Sequence, residues 1–280
     1  MDAVKLLRLG TGRKLAYEQS GDPRGTVVIG FHSTPGSRLE RFPDDETLTR
    51  LGVRLITFDR PGYGLSDPVD GRTLLDCADD VVALADHLGI GEFGVHGMAG
   101  GGPFALATAW AQPERVVAAA VSCGLGPLDR PGAMDGLSPG VLAQFHLSQH
   151  HPDRLGAALA GGMLAPVVPE HEMATLAAIP GLTEMLIESL SALSQSGWDG
   201  VVADDLAVVG SWGFPLEEIA VPASLWHGDS DTLVPFGHSE YVANRIPGAE
   251  LHLCPEQGHY AMFGHSQAIF RGLTRHFARS

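Results

Sequence analysis

Positive charge is scarce in this sequence. Lys occurs only at Lys5 and Lys14, and 18 basic residues against 33 acidic ones leave a formal net charge of −15. A nucleic-acid partner needs concentrated Lys and Arg, so that class is excluded, as is docking on an anionic membrane face. Long hydrophobic runs are also missing, which excludes a span through a bilayer. The opening Met1-Asp2-Ala3-Val4-Lys5 has no basic segment followed by an apolar one, so a cytoplasmic protein is expected. Cysteine is rare: Cys77, Cys123 and Cys254 stand far apart, which excludes a disulfide framework and gives no metal-ligand spacing. The pair His150-His151 has no second ligand at helical spacing, so no metal is expected. Neither phosphate-binding glycine pattern, G-x-x-x-x-G-K-[ST] or G-x-G-x-x-G with its ribose-binding acid, is present, and no cofactor is expected.

What is present is enough apolar sequence, 44%, for a large core. Short apolar runs alternate with helix-like segments, the mark of a mostly parallel sheet with helices on both faces. Lys5 to Leu9 and Lys14 to Gln19 read as a hairpin around Gly10-Thr11-Gly12. Thr26 to Phe31, Val53 to Phe58, Phe93 to His96 and Val116 to Val121 read as strands buried on both faces. Thr73 to Leu88 carries Leu74, Val81, Leu84 and Leu88 at helical intervals and stops at Gly89. From 125 to 213 the strands vanish, leaving helix-like stretches broken by Gly and Pro. Alternation resumes with a strand from Val221 to Trp226, a helix from Gly237 to Arg245, a strand from Glu250 to Leu253 and a helix after His265. The expected organisation is a core of 1–124 and 214–280, with 125–213 as a helical cap.

The densest signal is Gly97-Met98-Ala99-Gly100-Gly101, set between the strand from Phe93 and an Ala-rich helix from Phe104 to Ala111. A strand turning sharply into a helix needs small residues around the turn, as in the G-x-S-x-G pattern whose central residue is the nucleophile. Here the central residue is Ala99. Four further blocks each follow a strand, where open parallel sheets place their ligand crevice. They are His32-Ser33-Thr34-Pro35-Gly36, Asp59-Arg60-Pro61-Gly62-Tyr63-Gly64-Leu65-Ser66-Asp67, His227-Gly228-Asp229-Ser230-Asp231, and Gly258-His259.

Together these blocks resemble the α/β-hydrolase superfamily, in particular its small capped bacterial esterase- and lactonase-like members, over residues 14 to 278. The resemblance implies an α/β-hydrolase fold, with Asp231 as the acid and His259 as the base of a Ser-His-Asp triad. The oxyanion N–H groups would belong to Thr34 and Gly100, and the block at Asp59 would be a structural turn. Chemically, His259 would relay a proton while Asp231 fixes its tautomer, and the second ring nitrogen of His259 would face the Ala99 methyl. Asp229 is expected only to cap its loop.

Ala99 cannot attack a carbonyl. Three readings follow: an engineered Ser-to-Ala form of a serine hydrolase, a natural lyase, cyclase or cofactor-free oxygenase using the His259–Asp231 pair, or a binding protein on the same scaffold. The first is preferred, because a charged dyad is costly to keep in a dry crevice without chemistry to perform. An Asp at the elbow would have meant dehalogenase or epoxide-hydrolase chemistry, and the residue is not Asp. The expected partner is a small, apolar ester, lactone or related carbonyl compound. Met98, Phe145, Met163, Leu164 and Met185 are the candidates to line its pocket.

Overall fold

The computed structural model describes residues 4–41, 45–162 and 170–277. Eight strands form one sheet: β1 (Lys5–Arg8), β2 (Lys14–Gly21), β3 (Thr26–Phe31), β4 (Val53–Phe58), β5 (Phe93–Met98), β6 (Val116–Ser122), β7 (Ala223–Gly228) and β8 (Glu250–Cys254). Their order is β1-β2-β4-β3-β5-β6-β7-β8. β2 runs antiparallel to both β1 and β4, and every other neighbouring pair is parallel.

The helices are α1 (Asp45–Arg50), α2 (Leu74–His87), α3 (Gly102–Ala111), α4 (Pro139–His150), α5 (Pro152–Ala160), α6 (Glu170–Ala178), α7 (Leu182–Ser191), α8 (Leu193–Ser196), α9 (Asp199–Val209), α10 (Gly237–Ala243) and α11 (Ser266–Thr274). Between β6 and β7 the described residues carry α4 to α9 and no strand. No single described helix is long and apolar enough to cross a membrane.

The strand sequences explain the layering. Successive side chains on a strand point to opposite faces, so a strand covered on both sides must be apolar throughout. Ile29 and Ile56 join Val81 and Leu84 of α2 and Phe104 and Leu106 of α3 in the larger core. Their neighbours Val28 and Leu55 join Leu48 of α1 and Ile269, Phe270 and Leu273 of α11 in the smaller one. α2 starts one residue after Thr73, which caps it: the hydroxyl accepts from the Asp76 N–H, and the Asp76 carboxylate accepts from the Thr73 N–H.

β7 begins at Ala223, two residues later than the apolar run starting at Val221 predicts. Pro222 has no N–H for the ladder, and only its carbonyl takes part, accepting from the Ala119 N–H. The short α1 carries no apolar stripe beyond Leu48, which is why periodicity does not reveal it.

Candidate active site

Ala99 sits where β5 gives way to α3, with φ of +48°. A side chain in this left-handed region costs about 1–2 kcal/mol, so the turn is strained as built. The glycines at 97, 100 and 101 are required by close packing. A Cβ on Gly97 would stand 2.6 Å from the Gly101 carbonyl oxygen, and one on Gly101 would stand 2.3 Å from that of Phe31. One on Gly100 would stand 2.6 Å from Thr34 Oγ1 and 3.2 Å from Thr34 N. The turn and the loop after β3 are therefore in backbone contact. Ala99→Gly should relieve the strain at some cost in unfolded-chain entropy, raising stability by about 0.5–1 kcal/mol in urea unfolding.

The loop after β3 is held from below and from the side. Ser33 donates through its N–H to Glu40 Oε1 (2.8 Å) and through its hydroxyl to Glu40 Oε2 (2.5 Å). Burial pushes the Glu40 carboxyl up from its ordinary value, against these two hydrogen bonds. Thr34 Oγ1 donates to Asp204 Oδ2 (2.7 Å) on α9. Arg60 Nη2 bonds both that carboxylate (2.5 Å) and Thr34 Oγ1 (2.9 Å). Arg72 pairs with the other Asp204 oxygen, and Tyr63 donates its hydroxyl to Oδ2 (2.7 Å).

Asp59 accepts from the backbone and guanidinium of Arg38 and from the Leu65 N–H, so its carboxylate is engaged in holding the turn. Gly62, at φ +85°, lies against Gly200 of α9, where a Cβ would stand 2.9 Å from the Gly200 Cα.

The loops after β7 and β8 bring Asp231 and His259 together. His259 Nδ1 donates to Asp231 Oδ2 at 2.7 Å, and both residues are buried. The other oxygen, Oδ1, accepts from the N–H groups of Leu233 and Val234, each at 2.9 Å. Asp231 thus caps its own loop as well as facing the histidine, a role expected of Asp229. Asp229 also caps, accepting from the Glu256 N–H at 2.7 Å. His227, fully buried, places Nε2 3.2 Å from Asp231 Oδ2 and takes the Ser239 hydroxyl on Nδ1.

Burial alone would raise the Asp231 carboxyl, but the facing His259 and the His227 hydrogen bond hold it well below its ordinary value. For His259 burial acts to lower the value, and the carboxylates of Asp231, Glu172 and Glu40 outweigh it, so the imidazole lies above its ordinary value. Linkage fixes the sign. With the folded value above about 6.5, the stability from protonated His259 is fully present below that pH and lost as pH rises through the folded value. In an NMR titration the His259 midpoint should lie above 6.5, and Asp231→Asn should bring it down.

Cys123 Sγ, an Asp231 oxygen and a ring nitrogen of His259 lie within 4.8 Å of one another. Donors about 2 Å from one tetrahedral ion stand more than about 3 Å apart, so the 2.7 Å Asp231–His259 contact is a hydrogen bond and not the two sides of a metal site.

Of the candidate lining residues, Met98 packs under the elbow with Ala99, Cys123, Cys254 and Met262. Phe145, on α4, is buried and belongs to the larger hydrophobic cluster. Met185 is buried in α7, and Met163 and Leu164 lie outside the described residues. A groove of about 440 Å³ along β7, β8 and α11, flanked by Trp226, His252 and Arg271, contains none of the Ala99, Asp231 and His259 set, so side-chain geometry locates the chemistry.

Glu172, Glu40 and Asp204 were invisible in the sequence. They are isolated carboxylates without a motif, two of them on inserted helices.

A sequence model of the alpha/beta hydrolase family matches residues 31–271. A proline iminopeptidase of Xylella fastidiosa is 33% identical over 117 residues, which is 39% of this chain and 36% of that protein. The match therefore spans little more than a third of that relative's length. Among solved structures, the enol-lactonase from Burkholderia xenovorans LB400 is similar with a TM-score of 0.74 at 18% identity, covering 97% of this chain and 99% of that one. A thermophilic esterase from Thermogutta terrifontis gives 0.72 at 21% identity, covering 98% and 97%.

Proposed function

The chain belongs to the alpha/beta hydrolase family, and from that premise we propose that its site is that of a serine-type hydrolase in which Ala99 stands in place of the attacking serine. The observation that carries this reading is the backbone of Ala99. A strained left-handed turn at φ +48° serves to present a side chain at its tip, and here it presents a methyl. The buried His259–Asp231 pair supports it, since ionised groups in a dry crevice are retained where chemistry uses them.

In the serine form, His259 takes the hydroxyl proton through Nε2 as the oxygen attacks the substrate carbonyl. The imidazolium is stabilised by Asp231, and the tetrahedral oxyanion by the N–H groups of Thr34 and Gly100. His259 then returns the proton to the leaving group, and a second round with water frees the acid. The helices between β6 and β7 act as a cap over this crevice.

The substrate is a small uncharged ester, lactone or related carbonyl compound. Both arginines beside the loop, Arg60 and Arg72, are buried and turned onto the Asp204 carboxylate, while Asp231, Glu40 and Glu172 surround His259. An anionic substrate would meet repulsion there. The iminopeptidase and lactonase relatives set the range to test, from acyl amides to cyclic esters.

A second reading rests on the absent hydroxyl itself: the His259–Asp231 pair acts alone, as the base of a lyase, a cyclase or a cofactor-free oxygenase. A panel of esters, lactones, aminoacyl amides and diketones separates the readings. Turnover only by Ala99→Ser supports the serine hydrolase. Turnover by the chain as it stands, abolished by His259→Ala, supports the base-only enzyme. Ligand binding without turnover in either form supports a binding protein.

A further inference from the structure

We propose that Glu172 on α6 is a positioning residue for His259, so that the base is held in its working place by the inserted helices as well as by Asp231. The proposal rests on the reading of His259 as the base. Glu172 is completely buried. Its Oε1 accepts from the His259 backbone N–H in a short contact, and its Oε2 accepts from the Tyr260 N–H at 3.2 Å. Those N–H groups open the short 3-10 turn Tyr260–His265, with His259 as its cap residue, and first-turn donors find no acceptor within their own turn. A carboxylate gripping two successive amides fixes the backbone from which the imidazole projects.

His259 is then held at three points. Its N–H meets Glu172, its carbonyl oxygen accepts from Cys123 Sγ at 3.5 Å, and its ring meets Asp231. Two of those holds come from the core sheet and its loops, and the third comes from a helix 87 residues away in sequence. The glycine before the histidine now has a reason. A Cβ on Gly258 would stand 2.1 Å from Glu172 Oε1 and 2.7 Å from its Cδ, so only glycine lets the carboxylate reach the amides. Charge adds a second effect, because Glu172 is among the carboxylates that favour the protonated imidazole.

The inserted helices reach the other catalytic loop in the same way, through Asp204 on Thr34. Docking of these helices and assembly of the site are therefore one event on the histidine side, with Glu172 as the link.

The test uses NMR on the chain as it stands, which needs no turnover. Charge-assisted acceptance should place the His259 and Tyr260 amide protons downfield and slow their exchange with solvent. Glu172→Gln, nearly isosteric, should move both upfield and lower the His259 titration midpoint. In the Ala99→Ser background, Glu172→Gln should lower kcat about 10- to 100-fold with KM little changed, as a misplaced base does. Gly258→Ala should reproduce the loss while leaving the Glu172 charge in place.

A folded Glu172→Gln with unmoved amides and an unmoved midpoint would overturn the proposal. If that variant does not fold, ordinary shifts and fast exchange for the two amides of the unaltered chain would overturn it equally. If Ala99→Ser is inert while the amides and midpoint respond, the positioning role stands and the serine-hydrolase reading fails.

Discussion

Ala99→Ser should raise hydrolysis of short-chain activated esters by about 10⁴- to 10⁶-fold over the chain as it stands. That is the range lost when serine enzymes are deprived of a triad member. The backbone asks nothing new of the substitution, since serine at φ +48° bears the same left-handed cost that alanine already bears. The glycines at 97, 100 and 101 leave the turn no room to rearrange, so the hydroxyl would emerge where the methyl now stands. Asp231 already holds Nδ1 of His259, which leaves Nε2 as the nitrogen to receive the proton. Because that imidazole is held above its ordinary value, the rate should rise with pH through a midpoint above about 6.5. A flat profile over that range would mean another group is the base.

Asp204→Ala should destabilise the protein by about 3–5 kcal/mol, the cost of leaving a buried charge without its partner. The carboxylate is shared by two guanidinium groups, Arg60 and Arg72, whose side chains are entirely buried. It also accepts from the Tyr63 and Thr34 hydroxyls. Arg72 has little in reserve: its Nε and Nη1 find no hydrogen-bond partner among the described residues, and beyond Asp204 its Nη2 reaches only the Gly200 carbonyl oxygen, at 3.3 Å. Burial would raise the Asp204 carboxyl, yet Arg60 and Arg72 draw it well below its ordinary value. Its stabilising contribution is thus present above about pH 3.9 and lost as pH falls toward the lower folded value. Urea unfolding at pH 7 measures the loss. The exposed Arg50–Glu46 pair on α1 provides the control, where Arg50→Ala should change stability by less than about 0.5 kcal/mol. Equal effects at the two sites would contradict the proposed role of the buried network.

The fold was legible wherever burial on both faces or tight backbone packing restricts the choice of residue. Val28 and Ile29 must both be apolar because helices cover both sides of β3, and Gly97 and Gly101 must be glycine because carbonyl oxygens fill the space of a Cβ. The blocks holding Asp231 and His259 stood out because each follows a strand, the resemblance to α/β-hydrolases singled out those two residues within them, and the adjacent strands β7 and β8 bring them together.

The rest was hidden for physical reasons. Glu172 and Asp204 act across 87 and 170 residues of sequence, through contacts that only the docking of α6 and α9 creates. Glu40 lies seven residues beyond Ser33, and its link to that loop depends on a turn that periodicity does not encode. Phe145 shows why pocket residues are hard to name from sequence: an aromatic ring on a helix between strands has the same pattern whether it lines a pocket or packs among apolar neighbours, and it is buried in the larger cluster.

Fluorophosphonate labelling of Ala99→Ser tests the serine-hydrolase reading most directly, because the probe reports an activated hydroxyl whatever the natural substrate is. The variant should label at residue 99, labelling should fall sharply when His259→Ala is added, and the chain as it stands should not label. A folded Ala99→Ser that stays unlabelled would contradict the reading and give first place to base-only chemistry by His259 and Asp231.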